Sequence, residues 1–95
     1  MANIRNLKKD LTYLVNAVVS DAYVALCFQP AEKRDAIFAI IDKAAELHIT
    51  LRDRINRPEE PHNASLVRKH YAQIRREMVE GIEALFGELS DVCKN

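Results

Sequence analysis

Apolar residues recur at alternating spacings of three and four along almost the whole chain, in three segments divided by prolines. In the first segment Ile4, Leu7, Leu11, Leu14 and Val18 form one row, which Ala22 and Ala25 continue after a single stutter. An α-helix turns once in about 3.6 residues, so this spacing collects apolar side chains on one face. Gln29-Pro30 closes the segment, because proline disfavours a helical conformation at the preceding residue and has no amide to donate. Pro30 then suits the first turn of a second helix, with Glu32 and Asp35 near its positive end.

The second row is Ile37, Ile41, Ala44, His48, Leu51 and Ile55, widened by Ile40 and Leu47. Two prolines in Arg57-Pro58-Glu59-Glu60-Pro61-His62 stop it near Asn56. Asn63 suits the N-cap of a third helix, where its side chain accepts a bond from an amide that otherwise has no partner. The third row is Val67, Tyr71, Ile74, Met78, Gly81, Leu85, Leu89 and Val92. Gly81 costs about 1 kcal/mol of helix propensity relative to alanine, so its place on the inward row predicts the close approach of a neighbouring helix. Gly87 does not end the helix, because Leu89 and Val92 hold the period.

The expected fold is therefore all-α: helices over about residues 3–28, 30–56 and 63–92 in an antiparallel up-down-up bundle, one domain spanning 1–95. With 2 Gly and 3 Pro the chain lacks the turn residues of an all-β domain. Its 48% hydrophobic and 29% charged residues exclude disorder, and 14 Lys plus Arg against 14 Asp plus Glu exclude a globally basic nucleic-acid binder.

One segment exceeds the needs of a three-helix core. Between Thr12 and Phe28 the first helix is apolar nearly all round, and Tyr13, Val24 and Cys27 fall opposite the Leu11 row. A helix apolar on both faces buries both, which predicts a homodimer built on the first helix, with Tyr13, Val24 and Cys27 at its face.

The chemistry-bearing residues are few. His48 and Asp21 are the polar residues set into or beside apolar rows. His48 reads as a core histidine bonded to a tyrosine rather than as a ligand, because no carboxylate accompanies it. Asp21 lies at the edge of the first apolar surface, within reach of solvent or of a cation such as Arg34. A helical di-metal site needs repeated Glu-x-x-His motifs facing inward, and the single Glu59-Glu60-Pro61-His62 falls in a loop. Arg57 and His62 show the Arg-x4-His spacing that resembles the ribonuclease motif of helical HEPN domains. Here both residues are flanked by prolines, and Pro58 replaces the polar residue that follows the arginine. The chain offers no nucleophile triad, phosphate loop or zinc pattern, so no catalytic residue, metal or cofactor is expected and an enzyme is disfavoured.

Three strings stand out: Asn3-Ile4-Arg5-Asn6-Leu7-Lys8-Lys9-Asp10, Arg52-Asp53-Arg54-Ile55-Asn56-Arg57-Pro58, and His70-Tyr71 leading to Ile74-Arg75. They resemble a family of small all-helical Bacteroidetes proteins without an assigned function. The resemblance implies a helical bundle and a bacterial cytoplasm, and it assigns no catalytic residue.

Cys27 and Cys93, 66 residues apart, read as free thiols of a cytoplasmic protein, Cys27 packing as a small hydrophobe and Cys93 fraying with the C-terminus. Asn16, Ser20 and Asp21 interrupt the first apolar segment, which argues against a signal peptide, a membrane span and a membrane partner. Folded up-down-up, residues 1–14 and 46–76 share one end of the bundle, with ten basic and five acidic residues, a local balance of +5 that leaves −5 elsewhere. Two readings follow: an interaction module dimerising antiparallel, basic end beside acidic end, or nucleic-acid or anion binding through Arg52, Arg57, Arg68, Lys69, Arg75 and Arg76. The second is ranked lower, since no exposed aromatic for stacking is expected near the basic end. No other protein partner can be named.

Overall fold

A computed structural model of the chain describes residues 4–58 and 61–94. Helix α1 spans Ile4–Phe28, a 3₁₀ turn spans Ala31–Lys33, and helices α2 and α3 span Arg34–Asn56 and Ala64–Lys94. No strand occurs among the described residues. Asn3, the expected start of the first helix, lies outside the described residues, as do the loop acids Glu59 and Glu60.

Three helix ends show how the sequence sets the boundaries. Gln29 N–H donates to the Ala25 carbonyl at 2.8 Å and completes the last turn of α1. Pro30 is extended, with φ −60° and ψ 154°, so it does not open α2 as its sequence position suggests. Reversing the chain needs one extended residue here, and Lys33 N–H then closes a single turn on the Pro30 carbonyl at 3.0 Å before α2 starts. Asn63 caps α3 as expected: its Oδ1 accepts from Leu66 N–H at 3.1 Å, and its carbonyl from Val67 N–H at 2.9 Å.

The core lies along the seam of the three helices. It comprises Leu7, Leu11, Val15, Val18, Ala22 and Ala25 of α1, Ile37, Ile40, Ala44, Leu51 and Ile55 of α2, and Tyr71, Ile74, Met78, Ile82, Leu85 and Leu89 of α3. Val15 and Ile82 stand one step off the expected rows. Each helix packs against two neighbours, so it buries a wider sector than a single row. Ile4 is exposed, while Leu14, Ile41, Leu47, Val67 and Val92 are half-buried around the core. Cys93 is also half-buried and packs on the core, because α3 runs on to Lys94 instead of fraying before it. Among the described residues no polar or charged residue is buried. Asp21 is exposed, and His48 is half-buried at the rim.

Gly81 meets the expectation of a close approach. A Cβ at that position would stand 3.0 and 3.1 Å from the Leu47 Cδ2 and Cδ1 methyls of α2. At the far end of α2, two side chains of α3 reach its last carbonyls, which have no partner within the helix. Tyr71 Oη donates to the Ile55 carbonyl at 2.9 Å, and His70 Nε2 donates to the Arg54 carbonyl at 2.7 Å.

Candidate interaction face and basic groove

With the core complete, large apolar side chains remain outside. Tyr13, Tyr23, Val24 and Phe28 of α1 and Phe38 and Ile49 of α2 are all exposed, Phe28 to 81% and Tyr13 to 74%. Counting about 100° per residue, Tyr13, Val24 and Cys27 fall opposite the buried Leu11 and Val18. Cys27 is exposed there rather than packed inside. Phe38 and Ile49 stand one above the other, three turns apart along α2. Sequence reasoning missed Tyr23, Phe38 and Ile49. The last two sit within an ordinary amphipathic pattern, and only the position of the neighbouring helices shows which of its members stay outside.

By length and composition α1 could cross a membrane. In the bundle it instead buries six side chains against α2 and α3.

At the other end of this face, α1 and α2 enclose an open groove of about 610 Å³. Ile4, Arg5, Lys8, Lys9, Thr12 and Tyr13 line it from α1, and Arg52 lines it from α2. Among the described residues no acidic one lines it. Asp53, next to Arg52, is turned to Arg57, whose Nε lies 3.3 Å from its Oδ1. Thr12 Oγ1 lies 3.3 Å from His48 Nε2 and ties the two walls together, so the partner of His48 is a threonine and not a tyrosine. Tyr13 puts an exposed ring beside the basic end, where none was expected.

The basic residues singled out from sequence are not gathered in one place. Arg52 joins the groove. Lys69 lines a second depression, of about 430 Å³, with Pro58, Leu66, Val67 and Gln73. Arg57 pairs with Asp53, Arg76 donates to Gln73 Oε1 at 2.9 Å, and Arg68 and Arg75 are exposed on α3. Arg5, Lys8 and Lys9 had counted only toward the charge of that end. Their spacing in the first two turns of α1 was the signal that they share a flank.

Two ion pairs tie α2 to α3. Lys43 Nζ lies 2.6 Å from Glu88 Oε1, and Arg54 Nη1 lies 2.5 Å from Glu77 Oε1. The hydrogen bond from Arg54 holds the Glu77 carboxyl below its ordinary value, helped by Gln73 Nε2 at 3.0 Å, and the same bond raises Arg54. The Arg54 pair brings Glu77 to the basic end, which lowers the local balance there from +5 to +4. No group of three or more metal-ligating side chains clusters among the described residues.

No protein-family model, curated protein or solved structure matches this chain.

Proposed function

We propose that this protein is a non-enzymatic interaction module that acts as a homodimer through the outer face of α1. The observation that carries the reading is the set of exposed apolar residues on the outer face of α1, Val24, Cys27 and Phe28 at its C-terminal end and Tyr13 three turns before Val24, beyond Asn16 and Ser20, on a bundle whose core is already complete. Exposed apolar rows of this extent mark binding surfaces. A second copy fits on two grounds. The row runs about 22 Å along α1, at a rise of 1.5 Å per residue, so a two-fold axis across its middle lets it cover itself. The antiparallel arrangement also lays the basic end of each copy beside the acidic end of the other. A bacterial cytoplasm is the proposed setting, supported by the family resemblance and by two cysteines that form no disulfide.

Light scattering on the intact chain tests this directly. The expected mass at micromolar concentration is twice 10.9 kDa. The double variant Val24→Glu, Phe28→Ser should give a monomer of unchanged helicity. A wild-type monomer overturns the proposal.

Anion binding at the basic end is the second reading. The basic lining of the α1–α2 groove, which holds no carboxylate among the described residues, favours it.

A further inference from the structure

We infer that the groove between the start of α1 and the end of α2 is a binding site for a small organic polyphosphate that carries a flat ring, a nucleoside triphosphate being the type. The inference does not rest on the dimer. It uses the N-terminal end of α1 and shares only Tyr13 with the apolar row that continues toward Phe28, so a bound ring and a second copy compete for that side chain.

Four cationic side chains, Arg5, Lys8, Lys9 and Arg52, converge from two helices on one opening that no carboxylate among the described residues lines. On a chain of zero net charge, with acids interspersed through the same segments, such a lining is a local departure from the mixed surface. Asp53, the acid adjacent to Arg52, is drawn away by Arg57 at 3.3 Å.

The helix itself supplies a second argument. The first turn of α1 holds no acidic residue, and Arg5, Lys8 and Lys9 sit in its first two turns. That end carries the positive pole of the helix dipole, where carboxylates stabilise and cations destabilise. Local rules are broken in this way where a site requires it. A bound phosphate would meet the side-chain charges and relieve their mutual repulsion.

The rest of the lining selects among anions. Ile4, the lysine stems and the Tyr13 ring make much of the wall apolar. Inorganic phosphate would leave that wall without a partner. A flat ring attached to the phosphates would stack on Tyr13, which is 74% exposed. The groove is largely open to solvent, and its volume of about 610 Å³ leaves room for one such molecule. A single strand of nucleic acid would need further stacking platforms beyond Tyr13 along a basic track, and Arg68, Lys69, Arg75 and Arg76 lie outside the groove on α3.

Calorimetric titration of the intact chain with ATP, sodium tripolyphosphate and inorganic phosphate tests the site. ATP should bind about tenfold or more tightly than tripolyphosphate, the gain coming from stacking. Its affinity should fall steeply between about 50 and 300 mM salt. Tyr13→Ala should bring ATP down to the level of tripolyphosphate, while Tyr13→Phe preserves the difference. The pair Lys8→Glu, Arg52→Glu should abolish ATP binding and leave helicity unchanged, and the monomeric Val24→Glu, Phe28→Ser variant should still bind ATP, which separates failure of this site from failure of the dimer. Absence of ATP binding, equal binding of ATP and tripolyphosphate, or binding that survives the charge reversals overturns the inference. So does tight binding of a dT12 oligomer or of phosphatidylglycerol vesicles that ATP does not displace.

Discussion

The two glycines of α3 make a matched pair for a stability experiment. Both lie inside the helix, so replacing either by alanine recovers about 0.8–1.0 kcal/mol of helix propensity. A Cβ at Gly87 meets nothing within 4 Å, and the residue is exposed. Gly87→Ala should therefore stabilise by about 1 kcal/mol, a rise of roughly 4–8 °C in Tm for a domain of this size. At Gly81 the same methyl would stand 3.0 and 3.1 Å from the Leu47 methyls. Overpacking a well-filled contact costs about 1–3 kcal/mol. Leu47 is half-buried and meets the new atom with the far end of its side chain, so the low end of that range applies. The two effects nearly cancel, and Gly81→Ala should fall between neutral and about 1 kcal/mol destabilising. Leu47→Ala removes the obstruction, and in that background Gly81→Ala should recover the full gain seen at Gly87. Urea unfolding followed by circular dichroism at one fixed protein concentration measures all five proteins, and the double-mutant coupling isolates the contact. If Gly81→Ala stabilises as much as Gly87→Ala, or if the Leu47 coupling is zero, the close approach of α2 to α3 described above is wrong.

Asn63→Ala should cost about 1 kcal/mol by removing the cap on Leu66 N–H, and Asn63→Asp should restore most of it, read from the urea midpoint. Tyr71→Phe should cost about 1–3 kcal/mol, since it leaves the Ile55 carbonyl without its donor in a buried setting, and the loss should exceed that of any single exposed ion pair. The lowered Glu77 carboxyl contributes stability that is present above the ordinary carboxylate value of 4.5 and is lost as pH falls through its folded-state value. Glu77→Gln should therefore lower stability near neutrality and flatten its decline in acid, as followed by thermal melts from pH 7 to about pH 2.

Helix identity, direction and most of the core were legible because the three–four spacing is a geometric property of the helix and survives whatever surrounds it. The Asn63 cap and the Gly81 contact could be read for similar reasons, since each follows from one residue's own chemistry. What could not be read depends on where other helices lie. Phe38 and Ile49 are as apolar as Ile37 and Ile40, and only the packing of α1 and α3 decides which pair is enclosed. The basic residues show the same limit. Summing charge by bundle end placed ten cations together, yet the groove unites Arg52 with Arg5, Lys8 and Lys9 and leaves Arg68 and Arg75 on another helix. His48 shows it too: its level in the bundle was readable, but Tyr71 turns to a carbonyl of α2 and the histidine meets Thr12.

An interior built of apolar side chains, with the Tyr71 hydroxyl its one polar group among the described residues, has a consequence for uniqueness. Leucine, isoleucine and alanine rows are close to interchangeable from one turn to the next, so sliding one helix by a turn would cost such a core little. The choice of register then falls to contacts at its margin. Gly81 admits Leu47 at one level only, Tyr71 and His70 find carbonyls without an intrahelical partner only where α2 ends, and Thr12 finds His48 only at one pairing of α1 with α2. Substitutions at these rim positions should therefore blur the alignment of the helices, whereas equal-volume changes inside should lower stability without changing which residues face one another.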